Sequence, residues 1–135
     1  MKRKYIALPS IALTLAIIVS ISWINFAAGS KSADLFTEEK SKEVAREFTK
    51  NSPTYSFDGY NLECKETLYP EIADCPNCWT FVFKFTSSHG GYGDRTGKML
   101  TQVITPHEAH ITVKDGKVTS AVLDLEWDML KQKTL

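Results

Sequence analysis

The chain lacks the features that announce common activities. It has no Gly-Lys-Ser/Thr phosphate loop and no strand–helix–strand alternation, which leaves P-loop and doubly wound nucleotide folds without support. Positive charge is not in surplus: sixteen basic residues face sixteen acidic ones. Three of the basic residues are Lys2, Arg3 and Lys4, so the rest of the chain is weakly acidic. Contact with phosphates needs a basic face, and nucleic acid is excluded as the main partner. Histidine and cysteine are scarce, with three of each. No paired acid and base stand out either. Asp124, Glu126 and Asp128 alternate at a strand end and read as a solvated edge rather than as catalytic carboxylates. At 135 residues, 43% hydrophobic and 24% charged, the chain suits one folded domain plus an appended segment.

That segment is the one long uncharged run, Tyr5 to Ala28. As a helix its 24 residues would span about 36 Å, slightly more than a hydrocarbon core. Trp23 sits near its far end, where an interfacial aromatic is common. The run is longer than the apolar region of a cleaved signal peptide, which favours a retained signal anchor over residues 1–29. Ala27-Ala28-Gly29 offers the alternative, cleavage and secretion. No cysteine lies near the end of the run, so lipidation at a lipobox is not available. Met-Lys-Arg-Lys marks the cytoplasmic side. The expected order is an anchor contacting membrane lipid through 5–28, a linker at 30–36, and an extracytoplasmic domain over 37–135.

Within that domain Thr37 is an N-cap for an amphipathic helix to Lys50, with Glu38 and Glu39 in the first turn and Val44, Ala45 and Phe48 as its apolar stripe. Pro53 stops it. A twofold period follows. Leu62, Cys64, Glu66 and Leu68 alternate with Glu63, Lys65, Thr67 and Tyr69 in a first strand, and Pro70 to Asn77 is a loop. Cys78 to Ser87 places Trp79, Phe81, Phe83 and Phe85 on one face, which requires a covering layer. Met99 to Thr105 is a third strand ended by Pro106. Asp115-Gly116 joins strands over Ala109–Lys114 and Lys117–Leu125 as a type I′ hairpin. Trp127 to Lys133 forms a last helical turn. The expected class is α+β: one helix on a curved antiparallel sheet of four to five strands.

Cys75-Pro76-Asn77-Cys78 is the most suggestive chemical element. It precedes a strand, so the helix dipole that activates a redox Cys-x-x-Cys is missing. In an oxidising compartment Cys64, Cys75 and Cys78 allow one disulfide and one leftover thiol, with three pairings open. His89, His107 and His110 are the other ligand-type residues. Combined with the two cysteines they make a Cys₂His₂ zinc site conceivable. His107 and His110 are three apart, so they converge only across a bulge. Gly90 to Gly97 is a long glycine-rich turn, and an exposed Tyr92, Asp94 and Arg95 on it are binding-loop candidates.

The helix-then-strands order and the phrase from Ile111 to Val122 resemble the cystatin-like and PepSY-like class, in which a helix crosses an antiparallel sheet. Cys75-Pro-Asn-Cys-Trp79, Gly91-Tyr-Gly-Asp-Arg-Thr-Gly97, Val103-Ile-Thr-Pro-His107 and Ala121-Val-Leu-Asp124 resemble a family of uncharacterised exported prokaryotic domains that sometimes accompany protease-inhibitor-like modules. The resemblance implies a fold and a location but no established activity. Gln102-Val103-Ile104-Thr105 lacks the glycine and spacing of the cystatin Gln-x-Val-x-Gly loop. The function expected is a membrane-anchored, non-catalytic binding or inhibitory module with a protein partner outside the cytoplasm. A metal-binding domain and a thiol–disulfide redox protein are the alternatives.

Overall fold

The computed structural model describes residues 36–69 and 75–135. The expected anchor and all but the last residue of the linker lie outside them. Among the described residues no helix is long and apolar enough to cross a membrane.

Helix α1 (Glu38–Asn51) starts where the cap chemistry places it: Thr37 Oγ1 accepts the Lys40 amide at 3.3 Å, with Glu38 and Glu39 in the first turn. Its buried face is made of Ser41, Ala45 and Thr49 with part of Phe48, whereas Val44 is 36% exposed. The expected stripe was therefore rotated. Small residues let the helix axis approach the aromatic row closely, and Thr49 avoids an orphaned hydroxyl by donating to the Ala45 carbonyl at 2.8 Å. Pro53 ends α1 but also begins α2 (Pro53–Asp58), a helical turn not expected from the sequence. Proline is tolerated at a first helical position because its missing amide would be unpaired there anyway.

Six strands follow: β1 (Gly59–Leu68), β2 (Cys78–Ser87), β3 (Thr105–Lys114), β4 (Lys117–Leu123), β5 (Trp127–Asp128) and β6 (Lys133–Thr134). Each pairs antiparallel with the next, in the order β1-β2-β3-β4-β5-β6. The α+β class is as expected, with six strands rather than four or five. Trp127 to Lys133 is not helical; β5 and β6 bracket a turn whose amides at Leu130 and Lys131 donate to Asp128.

The core lies where β2 and β3 face α1. Phe81, Phe83 and Phe85 align with Ile111, Ala109 and His107, and Ala121 and Leu123 of β4 extend the layer. Each buried phenylalanine contributes about 1.5–3 kcal/mol. In β1 the expected alternation breaks. Irregularities between Tyr60 and Glu63 and between Cys64 and Glu66 shift the parity, so Leu62, Cys64 and then Thr67 face inward and Leu68 faces out. An extra residue in one strand flips every side chain beyond it.

Of the expected third strand over Met99–Thr105, residues 99–104 form a connection outside the ladder, and β3 begins at Thr105 with Pro106 inside it. Pro106 is accommodated because β4 pairs with β3 only from Ala109 onward, leaving the proline a neighbour on one side. Asp115-Gly116 forms the expected turn, both residues at positive φ. Asp124 and Leu125 also have positive φ, 52° and 60°, in the turn closed by Glu126 N–H donating to the Leu123 carbonyl.

Candidate functional site

The alternation of β3 continues past its apolar residues, and this places a histidine in the core. Ala109, Ile111 and Val113 are fully buried, and two positions earlier His107 occupies the same face at 4% exposure. A buried imidazole needs partners on both nitrogens. Nδ1 lies 2.6 Å from Asp124 Oδ2 and Nε2 lies 3.0 Å from Ser87 Oγ. Asp124 is held in turn by the Glu108 amide at 2.7 Å and the Tyr92 hydroxyl at 3.1 Å. Burial raises the Asp124 carboxyl, but the bonds from His107, the Glu108 amide and Tyr92 outweigh it and leave it below the ordinary carboxylate range. The Tyr92 phenol moves the other way, pushed up to about 12 by burial and by the Asp124 charge.

The same arrangement runs into the glycine-rich connection. Ser87 Oγ donates to the His89 carbonyl at 2.8 Å, and Arg95 Nη1 donates to that carbonyl at 2.9 Å. Arg95 is 2% exposed. It also donates to the carbonyls of Gly90 and Thr54, each at 3.1 Å, and to Asp58 Oδ1 at 2.7 Å. Its guanidinium lies 4.7 Å from the Phe57 ring centroid. Asp58 Oδ2 takes His89 Nδ1 at 2.8 Å, and the Gly93 amide donates to Thr54 Oγ1 at 2.8 Å. The Tyr92 ring stacks on Trp127, 5.4 Å between centroids and 15° between planes. Thus α2, the connection, β2, β3 and the β4–β5 turn are joined through one set of buried polar contacts, with the His89 carbonyl as the shared acceptor.

Serine, histidine and aspartate stand in the order of a hydrolytic triad, but the Ser87 hydroxyl gives its one proton to the His89 carbonyl rather than to the imidazole. The surroundings do not suit that chemistry. Ser87 is 0% exposed and Phe85 and Tyr92 flank the imidazole. A nucleophile needs space for a reacting carbon about 3 Å away. A cleft of about 300 Å³ beside the β1 irregularity reaches Phe85 and His107 but not Ser87. What the geometry does is tie strands and turns together.

Several expectations change accordingly. Arg95 is not an exposed recognition residue, because it is the centre of the buried contacts. Tyr92 is largely covered by its stacking and its hydroxyl bond. Asp94 remains exposed, with Oδ1 accepting the Thr96 amide at 2.9 Å and hydroxyl at 2.6 Å. Asp124 is not a solvated edge residue, since its carboxylate is committed to His107, Glu108 and Tyr92. Asp128 is 9% exposed and caps the turn that follows it.

Cys75 and Cys78 are joined to each other, which selects one of the three pairings and leaves Cys64 free and half-buried. The bonded turn is docked on the β3–β4 hairpin: Asp115 N–H donates to the Asn77 carbonyl at 3.1 Å, and Asn77 Nδ2 donates to Asp115 Oδ1 at 3.1 Å. The Cys₂His₂ arrangement is not assembled. Cys78 pairs with Lys114 at one end of β2 while His107 pairs with Phe85 near the other, about 23 Å along the strand. No bulge intervenes between His107 and His110, so they face opposite sides of the sheet. His110 bonds to Glu108 at 2.8 Å on the open face, and together with Lys84 it holds that carboxyl below its usual range. Among the described residues no group of three or more His, Cys, Asp or Glu side chains could hold a metal ion.

No local sequence signal points to Thr54, Asp58 or Ser87. The phase of β3 was the signal available for His107. A cleft of about 810 Å³ between α1 and the β3–β4 turn contains none of the expected site residues. No family model matches the chain, and no curated protein or solved structure matches it either.

Proposed function

We propose that this chain is a non-catalytic binding module held outside the cytoplasm by residues 5–28, and that its recognition element is the connection from Met99 to Ile104. One observation carries the reading. Met99, Val103 and Ile104 are 103%, 52% and 72% exposed within six residues. Exposed apolar side chains grouped in this way mark interaction surfaces. The connection emerges from Arg95 and returns at His107, both buried, so its two stems are fixed while its tip is free. Preorganisation of this kind lowers the ordering cost of binding. Lys98 N–H donates to the Arg95 carbonyl and Thr105 Oγ1 to the Val103 carbonyl, which fastens each end further.

The location rests on the basic flank and length of the apolar run, and the Cys75–Cys78 bond suits an oxidising compartment. The helix followed by a sequential antiparallel sheet is the order expected of the cystatin-like and PepSY-like class. The residues that carry the family resemblance include Tyr92, Arg95, His107 and Asp124, all members of the buried contacts. The test is affinity capture from detergent-solubilised membranes with the full chain and with M99S/V103S/I104S. A defined protein retained by the wild type and lost by the folded variant supports the reading. Equal capture by both contradicts it.

A further inference from the structure

A second surface lies on the other side of Arg95, where α2 faces the Asp94–Thr96 turn. The cleft there has a volume of about 510 Å³ and is lined by Asn51, Pro53, Ser56, Phe57, Asp94 and Thr96. That volume falls within the range of about 300–1,000 Å³ typical of small-ligand sites. The lining selects by elimination. Asp94 is ionised, because the Thr96 hydroxyl and amide hold its carboxyl below the ordinary range, and among the described residues no cationic side chain lines the cleft to receive an anion. A single carboxylate is a weak cation site. The one aromatic ring, Phe57, already carries the Arg95 guanidinium at 4.7 Å, so a second cation against it would meet repulsion. An apolar ligand would cover the Asn51 amide and the Oδ2 atom of Asp94 without giving either a partner.

What remains is a neutral molecule whose groups both donate and accept, with a C–H surface for the ring. We propose that this cleft binds a hydroxyl-rich ligand, a saccharide or a related polyol. Oδ2 of Asp94 accepts ligand hydroxyls while Oδ1 stays on Thr96. The Asn51 amide and the Ser56 and Thr96 oxygens complete the polar rim, and Phe57 supplies the apolar contact. The site is built before a ligand arrives, since Arg95 fixes the turn from beneath and proline begins α2.

The surface is separate from the Met99–Ile104 tip, so the two readings stand or fall independently. Saturation-transfer NMR on the full chain in detergent would use glucose, galactose, mannose, N-acetylglucosamine, maltose and cellobiose at 10 mM. Glycerol and inositol form the non-sugar arm, and choline and sulfate the charged arm. At least one polyol is expected to receive saturation, falling at least fivefold in both D94A and N51A, with partner capture through the tip unchanged. The proposal is overturned by no transfer to any polyol, by equal transfer in folded variants, or by choline or sulfate outperforming every polyol. Agreement of two independent exposed variants guards against one that simply misfolds.

Discussion

The His107 imidazole stands 2.6 Å from the Asp124 carboxylate, joining the buried face of β3 to the turn that ends β4. Asp124 adopts a left-handed backbone there, φ 52°, followed by Leu125 at 60°. Two consecutive non-glycine residues in that region are costly, and the three bonds accepted by Asp124 hold them in place.

His107→Ala therefore removes one of the three partners of the Asp124 carboxylate and one of the two of the buried Ser87 hydroxyl. It should cost about 2–4 kcal/mol of unfolding free energy in urea. Ser87→Ala, which leaves the His107–Asp124 pair intact, should cost about 1 kcal/mol. Equal effects of the two would contradict the order of importance assigned to these bonds.

Acid should act on Asp124 and base on its partner Tyr92. Its folded carboxyl titrates below the ordinary 3.8, so its contribution is complete above that value and is lost as the pH falls through the folded value. Asp124→Asn should flatten this acid limb. Tyr92 titrates near 12 against an ordinary 10.0, so its contribution is complete below 10 and is lost as the pH rises toward 12. Absorbance at 295 nm should show a late-titrating tyrosine component that Tyr92→Phe removes.

Arg95→Lys keeps the charge but cannot span the carbonyls of Thr54, His89 and Gly90 together with Asp58. A loss of about 2–3 kcal/mol is expected, with faster amide exchange at Gly93, whose N–H bond to Thr54 depends on the same docking. Unchanged exchange would show that the connection holds its shape without the guanidinium.

The Cys75–Cys78 bond closes a short loop, with a sequence separation of three, so its effect on the unfolded chain is small. Reduction or C75S/C78S should lower stability by about 2 kcal/mol and leave the fold intact. Unfolding on reduction would assign the bond a larger part than a local staple for the Asn77–Asp115 contact.

The elements carried by strong periodicity were readable from the chain. The aromatic row fixed β2 over Cys78–Ser87, and Asp115-Gly116 fixed the β3–β4 turn. Elements whose outcome depends on pairing were not. Val103 and Ile104 favour a strand locally, yet β2 and β4 already flank β3, and the segment is left outside the sheet. The β1 irregularities reversed the phase of residues whose alternation looked regular.

The buried contacts were harder still. Arginine and aspartate are normally at the surface, so Arg95 in a glycine-rich stretch reads as exposed until Asp58 and the carbonyls of Thr54, His89 and Gly90 are seen converging on it. Thr54 and Asp58 are distant from it in sequence, and none of the partners carries a local signature. His107 differs, because its phase with Ala109 and Ile111 already pointed inward.

The most direct measurement is photo-cross-linking from residue 103 in the full chain in intact cells, with Thr119 on exposed β4 as the control position. A single defined protein adduct at 103, absent at 119 and competed away by unlabelled protein, is the predicted result. No adduct at 103, or the same adducts at both positions, would contradict recognition through the Met99–Ile104 connection.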